Sequence, residues 1–124
     1  MPARRGFYKG KKPCVDLLVA GTRGHPEQLT VTVDTGFTGF LLISQKQAEP
    51  HGLKPIGTTM ATLANGSQTA MIMALTTVGF GGPSREGVAT ISNMDCQCLI
   101  GIDFLRLFEL ALVLTDTSIW LIPT

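Results

Sequence analysis

Charge of one sign is scarce in this chain: ten Lys and Arg stand against nine Asp and Glu, a formal net charge of +1, and charged residues make up only 15% of the sequence. A surface so balanced builds no field strong enough to gather a nucleic acid or hold the chain on a membrane, so neither is expected as a partner. Long hydrophobic runs are missing as well. No segment approaches the roughly 20 apolar residues of a membrane span, and no apolar stretch of signal-peptide length follows the basic start. The expectation is a soluble, cytoplasmic protein. Metal-binding and bridging side chains are also few. Cys14, Cys96 and Cys98 are an odd number, and Cys96 and Cys98, two apart, would point to the same side of a strand, poorly placed for an unstrained bridge. His25 and His51 are the only histidines, too few for the roughly four well-spaced ligands of a zinc site. Reduced, structural thiols and no metal are expected, with a redox or metal role as the alternative.

What is present suits one compact domain. The chain has 124 residues, 44% of them hydrophobic, enough for one core and not two. Residues 14–124 are taken as that domain. Residues 1–13 carry Arg4, Arg5, Lys9, Lys11 and Lys12 and read as a flexible, solvated basic arm, or alternatively as a weak site for an anionic partner.

The pattern is of short strands joined by turns, an all-β chain with one or two short helices. Cys14 to Ala20 reads as a first strand, Gly21 to Pro26 as a hairpin loop in which His25 is a turn residue rather than a base, and Gln28 to Asp34 as the returning strand. Phe40-Leu41-Leu42-Ile43 is a continuous apolar run, as in a strand buried on both faces. Ser44 is placed to cap a short helix through about His51, limited by Pro50 and Gly52. Thr58 to Ala64 and Gln68 to Leu75 flank Asn65-Gly66-Ser67, a strong signal for a tight hairpin turn. Val78 to Pro83 is a further sharp turn, followed by a strand from Gly87 to Ser92. The chain closes on Leu110 to Leu114, a turn at Thr115 to Ser118, and Ile119 to Ile122.

Two stretches carry chemistry. In Leu29-Thr30-Val31-Thr32-Val33-Asp34-Thr35-Gly36-Phe37-Thr38-Gly39, Leu29, Val31 and Val33 share one strand face while Thr30, Thr32 and Asp34 share the other. The strand thus delivers one carboxylate into a turn punctuated by glycines, which make bending inexpensive. In Cys98-Leu99-Ile100-Gly101-Ile102-Asp103-Phe104-Leu105-Arg106-Leu107-Phe108, an apolar run ends in glycine before an amphipathic helix. Leu105 and Phe108 share a face with Ile102. Asp103 suits the helix start, where free amide protons and the positive dipole end favour a carboxylate; the other reading is a second catalytic acid.

Val33-Asp34-Thr35-Gly36 and Leu99-Ile100-Gly101-Ile102-Asp103-Phe104-Leu105, at this separation, resemble the two signatures of the retropepsin-like (clan AA) aspartic proteases. The order of elements from Cys14 to Pro123 is similar too, and most similar to small bacterial and archaeal members whose loop reads Asp-Thr-Gly-Phe. The resemblance implies a single-lobe acid protease fold, closed as a homodimer, with Asp34 as the catalytic acid and Thr35 and Gly36 supporting its loop. It implies that Leu99, Ile100, Gly101 and Asp103 cross behind that loop as structural residues. It implies a flap at Leu63, Ala64, Asn65, Gly66 and Ser67 over a peptide or protein substrate, although the same hairpin read alone is an ordinary surface hairpin.

Hydrolysis by this route needs two carboxyl groups sharing one water and one proton. One chain supplies one, so a two-fold axis must bring Asp34 to its own copy, and no cofactor is then required. The apolar end, with Trp120, Leu121 and Ile122, is the expected interface strand, Trp120 being equally readable as a core residue. Phe37 departs from the many relatives with Ala, Ser or Thr after the glycine: a ring cannot donate a hydrogen bond to the carboxylate, and it is a candidate wall of a substrate pocket. The flap also lacks an aromatic residue near its tip. The reading is a homodimeric aspartic endopeptidase; the alternatives are a non-catalytic peptide-binding module and a dimerisation domain of the same fold.

Overall fold

The computed structural model describes residues 2–21, 25–62 and 65–124. Eleven strands and two short helices follow one another: β1 (Arg4–Arg5), β2 (Phe7–Lys9), β3 (Lys12–Ala20), β4 (Glu27–Val33), β5 (Leu41–Ser44), α1 (Gln45–Ala48), β6 (Pro55–Thr62), β7 (Gln68–Gly79), β8 (Ser84–Ser92), β9 (Leu99–Ile100), α2 (Ile102–Leu107), β10 (Leu110–Leu114) and β11 (Ile119–Pro123). A large sheet runs β2-β3-β4-β9-β5-β8-β7-β6, and the end of β3 also pairs with β7, so the sheet curls back on itself. A smaller sheet runs β1-β11-β10.

The alternation read in β4 is realised. Leu29, Val31 and Val33 are buried while Thr30 and Thr32 face outward. β5 is covered on both sides, between β9 and β8. Ser44 caps α1, accepting from the Gln47 amide at 3.4 Å, but the helix ends at Ala48 and the chain continues as turns to Gly52, whose φ of 72° reverses it. His51 is buried there and its Nδ1 lies 3.0 Å from the Val19 carbonyl, which ties the segment after α1 to β3.

Three expectations are corrected. The basic start is not a loose arm: Arg4–Arg5 pair with Leu121 and Trp120, Phe7–Lys9 pair with β3, and the Tyr8 hydroxyl donates to the Thr115 carbonyl at 2.6 Å. Its backbone finds partners on two sheet edges, which a count of polar side chains does not register. In the terminal hairpin the expected interface strand, β11, is not an edge: it lies between β1 and β10, and it is β10 that carries the exposed Val113 and Leu114 at the sheet's edge. Ile119 and Leu121 are fully buried in the core of their own chain, and Trp120 is half-buried with the Arg5 guanidinium 5.8 Å from its ring centre. The buried face of α2 is Phe104, Leu105 and Phe108, with Ile102 only half-buried.

Phe104 is the centre of an aromatic cluster. Its ring stacks on Phe108 at 4.5 Å between centroids and lies 5.4 Å from Phe40 and 6.2 Å from Phe80. Replacing it by alanine removes a fully buried ring from beneath α2, and Phe104→Ala is expected to cost about 3–5 kcal/mol, a large share of the roughly 5–15 kcal/mol by which such domains are folded. Denaturant midpoints of the two proteins check this.

Candidate active site

β4 and β5 are not neighbours; β9 lies between them, parallel to β4 (Thr32 beside Leu99, Val33 beside Ile100) and antiparallel to β5 (Leu41 beside Ile100). The chain leaving β4 must therefore pass over the end of β9 before it can start β5. The stretch that makes this crossing is Asp34 to Phe40. Its first residue still pairs as a strand, the Asp34 amide donating to the Ile100 carbonyl at 3.0 Å, and a tight turn follows, the Phe37 amide donating to the Asp34 carbonyl at 3.1 Å.

The half-buried Asp34 carboxylate accepts from the Gly36 amide at 2.8 Å. Gly36 does not adopt a positive φ, so its role is not the bend. A Cβ there would stand 3.1 Å from the same Asp34 Oδ1, closer than ordinary van der Waals contact, and the missing side chain lets the amide reach the acid. Thr35 and Gly36 are exposed, and the Thr35 hydroxyl makes no side-chain hydrogen bond among the described residues.

The floor of the loop is the start of α2. The Ile102 amide donates to the Phe37 carbonyl and the Asp103 amide to the Thr38 carbonyl, each at 3.0 Å. The unpaired amides of a helix start, expected to favour the Asp103 carboxylate, are thus used on the loop backbone. The Asp103 side chain is exposed, and Gly101 caps α2 without a side-chain bond. Gly101 permits the approach, since a Cβ on it would lie 2.1 Å from the Phe37 carbonyl oxygen. The Phe37 ring folds onto its own loop, against Gly39 and Gly101, and is half-buried. Leu99 and Ile100 form β9, directly behind Asp34.

The hairpin of β6 and β7 ends in an Asx turn. The Ser67 amide and hydroxyl both donate to Asn65 Oδ1, at 3.0 and 2.6 Å, and Gly66 holds a φ of 86°. Leu63 and Ala64, the other two expected tip residues, lie outside the described residues. No residue of β6 is buried, and none of β7 is before Ala74, so the outer half of the hairpin stands clear of the core.

Residues below the loop escaped the linear reading. The Cys98 thiol, buried beside α1, donates to Gln47 Oε1 at 2.8 Å, and Cys14 Sγ lies 3.8 Å from Thr32 Oγ1. Thr32 was legible as sharing the face of Asp34. The approach of Cys14, Gln47 and Cys98 to it was not, because three separate segments bring them there. All three cysteines are free, and the described residues hold no cluster of three or more His, Cys, Asp or Glu side chains fit for a metal. No helix among them is long and apolar enough to cross a membrane.

Burial pushes the Cys98 thiol above its ordinary value, a backbone hydrogen bond at Ser44 partly opposing it and the neighbouring Cys96 adding to it. A raised thiol leaves the folded state holding a proton that the unfolded chain gives up first. Its contribution to stability is therefore complete below the ordinary value of 9.0 and is lost as pH rises through the folded value. Cys98→Ala is expected to flatten the alkaline decline of the denaturant midpoint, and a maleimide at neutral pH should label half-buried Cys96 well before Cys98.

No curated protein matches the chain. Among solved structures, it superposes on a retropepsin-like aspartic protease from Rickettsia conorii with a TM-score of 0.70, at 13% identity, over 98% of this chain and 89% of that one. It superposes on the EIAV protease complexed with the inhibitor HBY-793 with a TM-score of 0.62, at 16% identity, over 87% of this chain and 98% of that one. Likeness at such low identity shows the retropepsin fold. Residues 22–107, more than half of the chain and spanning both the Asp34 loop and α2, match the family of the gag-polyprotein putative aspartyl protease, and the chain belongs to that family of retropepsin-like aspartic proteases.

Proposed function

We propose that this chain is a homodimeric aspartic endopeptidase that hydrolyses extended peptide segments with a water held between Asp34 of one protomer and Asp34 of its partner. The observation that carries the reading is the Asp34 loop itself. Its carboxylate is fixed by the Gly36 amide at 2.8 Å, on a turn braced from below by α2, while Thr35 and Gly36 face solvent. Such an acid is oriented but incomplete. A second carboxyl at hydrogen-bonding distance would share one proton with it, one group taking a proton from the water and the other polarising the scissile carbonyl. A two-fold axis beside Thr35 supplies that second group at no further cost in sequence, and the two exposed Thr35 hydroxyls would then meet across the axis.

The β6–β7 hairpin is the lid in this reading. Its outer half makes few contacts with the core, and its tip at Asn65, Gly66 and Ser67 would close over a peptide lying in strand form. Two measurements made together test the proposal. Peptide cleavage should follow the dimer fraction as the protein is diluted, and a transition-state mimic of the pepstatin type should block it. Cleavage by a species that sediments as a monomer would remove the proposal's basis.

A further inference from the structure

The outward face of β4 that ends in Asp34 opens on a cleft of about 630 Å³. Thr32 lines it two residues before the acid, and its hydroxyl lies 3.8 Å from Cys14 Sγ, another lining atom. Cys96, Gln97 and Cys98 also line the cleft. One rim is the β2–β3 hairpin, which brings Lys9, Lys11 and Lys12 to the same opening.

Those lysines are placed against the interest of the hairpin. Lys9 and Lys12 are direct cross-strand partners and Lys11 sits in the turn between them, with Gly10 at a φ of 64°. Like charges facing each other across a strand pair destabilise it. Among the described residues, no Asp or Glu lines the cleft itself. Asp16, two residues from Cys14 on the same face of β3, accepts from the Thr30 hydroxyl at the cleft's edge, and Asp95 adjoins Cys96 in the neighbouring pocket. Of the remaining titratable lining groups, His51 is held at the Val19 carbonyl, and the three thiols are free. The β2–β3 rim therefore concentrates three positive charges at the opening.

We infer that this cleft selects an acidic side chain, Asp or Glu, of the peptide that lies across Asp34. The inference rests on the proteolytic reading above and gives it a substrate class. At roughly 3.3 Å per residue, two residues of β4 separate Thr32 from Asp34 by about 7 Å, so a peptide in strand form presents a side chain to the cleft within two or three residues of the scissile bond. The two-fold axis repeats the cleft on the partner, so the acid is wanted on both sides of that bond. The basic start, read from composition as a solvated arm, becomes a specificity rim.

The test uses a peptide containing glutamate at the second and third positions on each side of the cleaved bond, and the same peptide with glutamine there. The glutamate form should be cleaved with about tenfold higher kcat/KM, as expected for two or three partly exposed charge pairs, and the advantage should shrink as salt is raised. In the double variant Lys11→Gln with Lys12→Gln the ratio should fall to about one. Lys46→Gln with Lys54→Gln, an equal loss of two charges on exposed residues outside the cleft, should leave the ratio unmoved. Equal cleavage of the two peptides by the wild-type protein, or a ratio that survives the double variant, overturns the inference while leaving proteolysis intact. If neither peptide is cleaved, the proteolytic reading fails. Binding of the fluorescein-labelled pair to the Asp34→Asn protein then decides the cleft separately: preference for glutamate lost with Lys11 and Lys12 upholds it, and equal binding overturns it.

Discussion

Mixed with about nine parts of the Asp34→Asn chain, wild-type protein is expected to lose about nine-tenths of its peptidase activity per wild-type protomer, because random pairing leaves only one such protomer in ten with a competent partner. Asparagine has nearly the shape of aspartate, and its side-chain oxygen still accepts from the Gly36 amide, so the loop and the fold are retained. What is lost is the group that ionises. A dimer with one carboxyl cannot both take the proton of the water and polarise the carbonyl. Alone, the Asp34→Asn protein should be slower by on the order of 1,000-fold or more, with an unchanged melting temperature. Activity that simply follows the amount of wild-type chain in the mixture would mean that each protomer works by itself, and the shared-acid reading would be abandoned.

Gly101→Ala should damage both the fold and the candidate site while touching no reacting group. Gly101 has a φ of −129°, which any residue adopts, so its cost is not one of backbone conformation. The added Cβ would lie 2.1 Å from the Phe37 carbonyl oxygen and 2.7 Å from that of Gly39. Neither atom can swing aside as a side chain would, and the Phe37 carbonyl already accepts the Ile102 amide at 3.0 Å. The loop must lift from α2. The loss is expected to be about 3 kcal/mol or more, on the order of 10–20 °C in melting temperature for a domain of this size. Because the same loop carries Asp34, any protein that still folds should also lose about 100-fold in kcat, the order expected for displacing a catalytic group by roughly 1 Å. Gly66→Ala is the informative comparison. Gly66 needs its positive φ but a Cβ there meets nothing, so about 1–2 kcal/mol of local strain and no packing clash is expected.

The candidate site was legible where chemistry and chain order coincide. Asp34, Thr35 and Gly36 are consecutive, and strand alternation alone sets the carboxylate on the face opposite Leu29, Val31 and Val33. The Asn65-Gly66 turn and the Ser44 cap were legible for the same reason, since each is settled by the bonding of residues within three or four positions. The face of α2 was less so. Ile102, Leu105 and Phe108 have the right spacing, yet Phe104 is the residue that meets Phe40, Phe80 and Phe108, because the aromatic rings it packs on arrive from other strands.

From its linear order this chain determined a short alternating strand ending in a single acid, a hairpin closed by Asn-Gly, and a glycine before an apolar helix, all of them consequences of near-neighbour sterics and hydrogen bonding. Only the tertiary structure decided that β9 slides between β4 and β5, so that the acid's loop rests on the amides of α2. It alone turned Arg4 to Lys9 from a charged tail into edge strands and set three lysines at the cleft beside Asp34. Those outcomes depend on which distant backbone groups find one another when the sheet curls and closes, and pairing between remote strands leaves no trace in the spacing of residues along one of them.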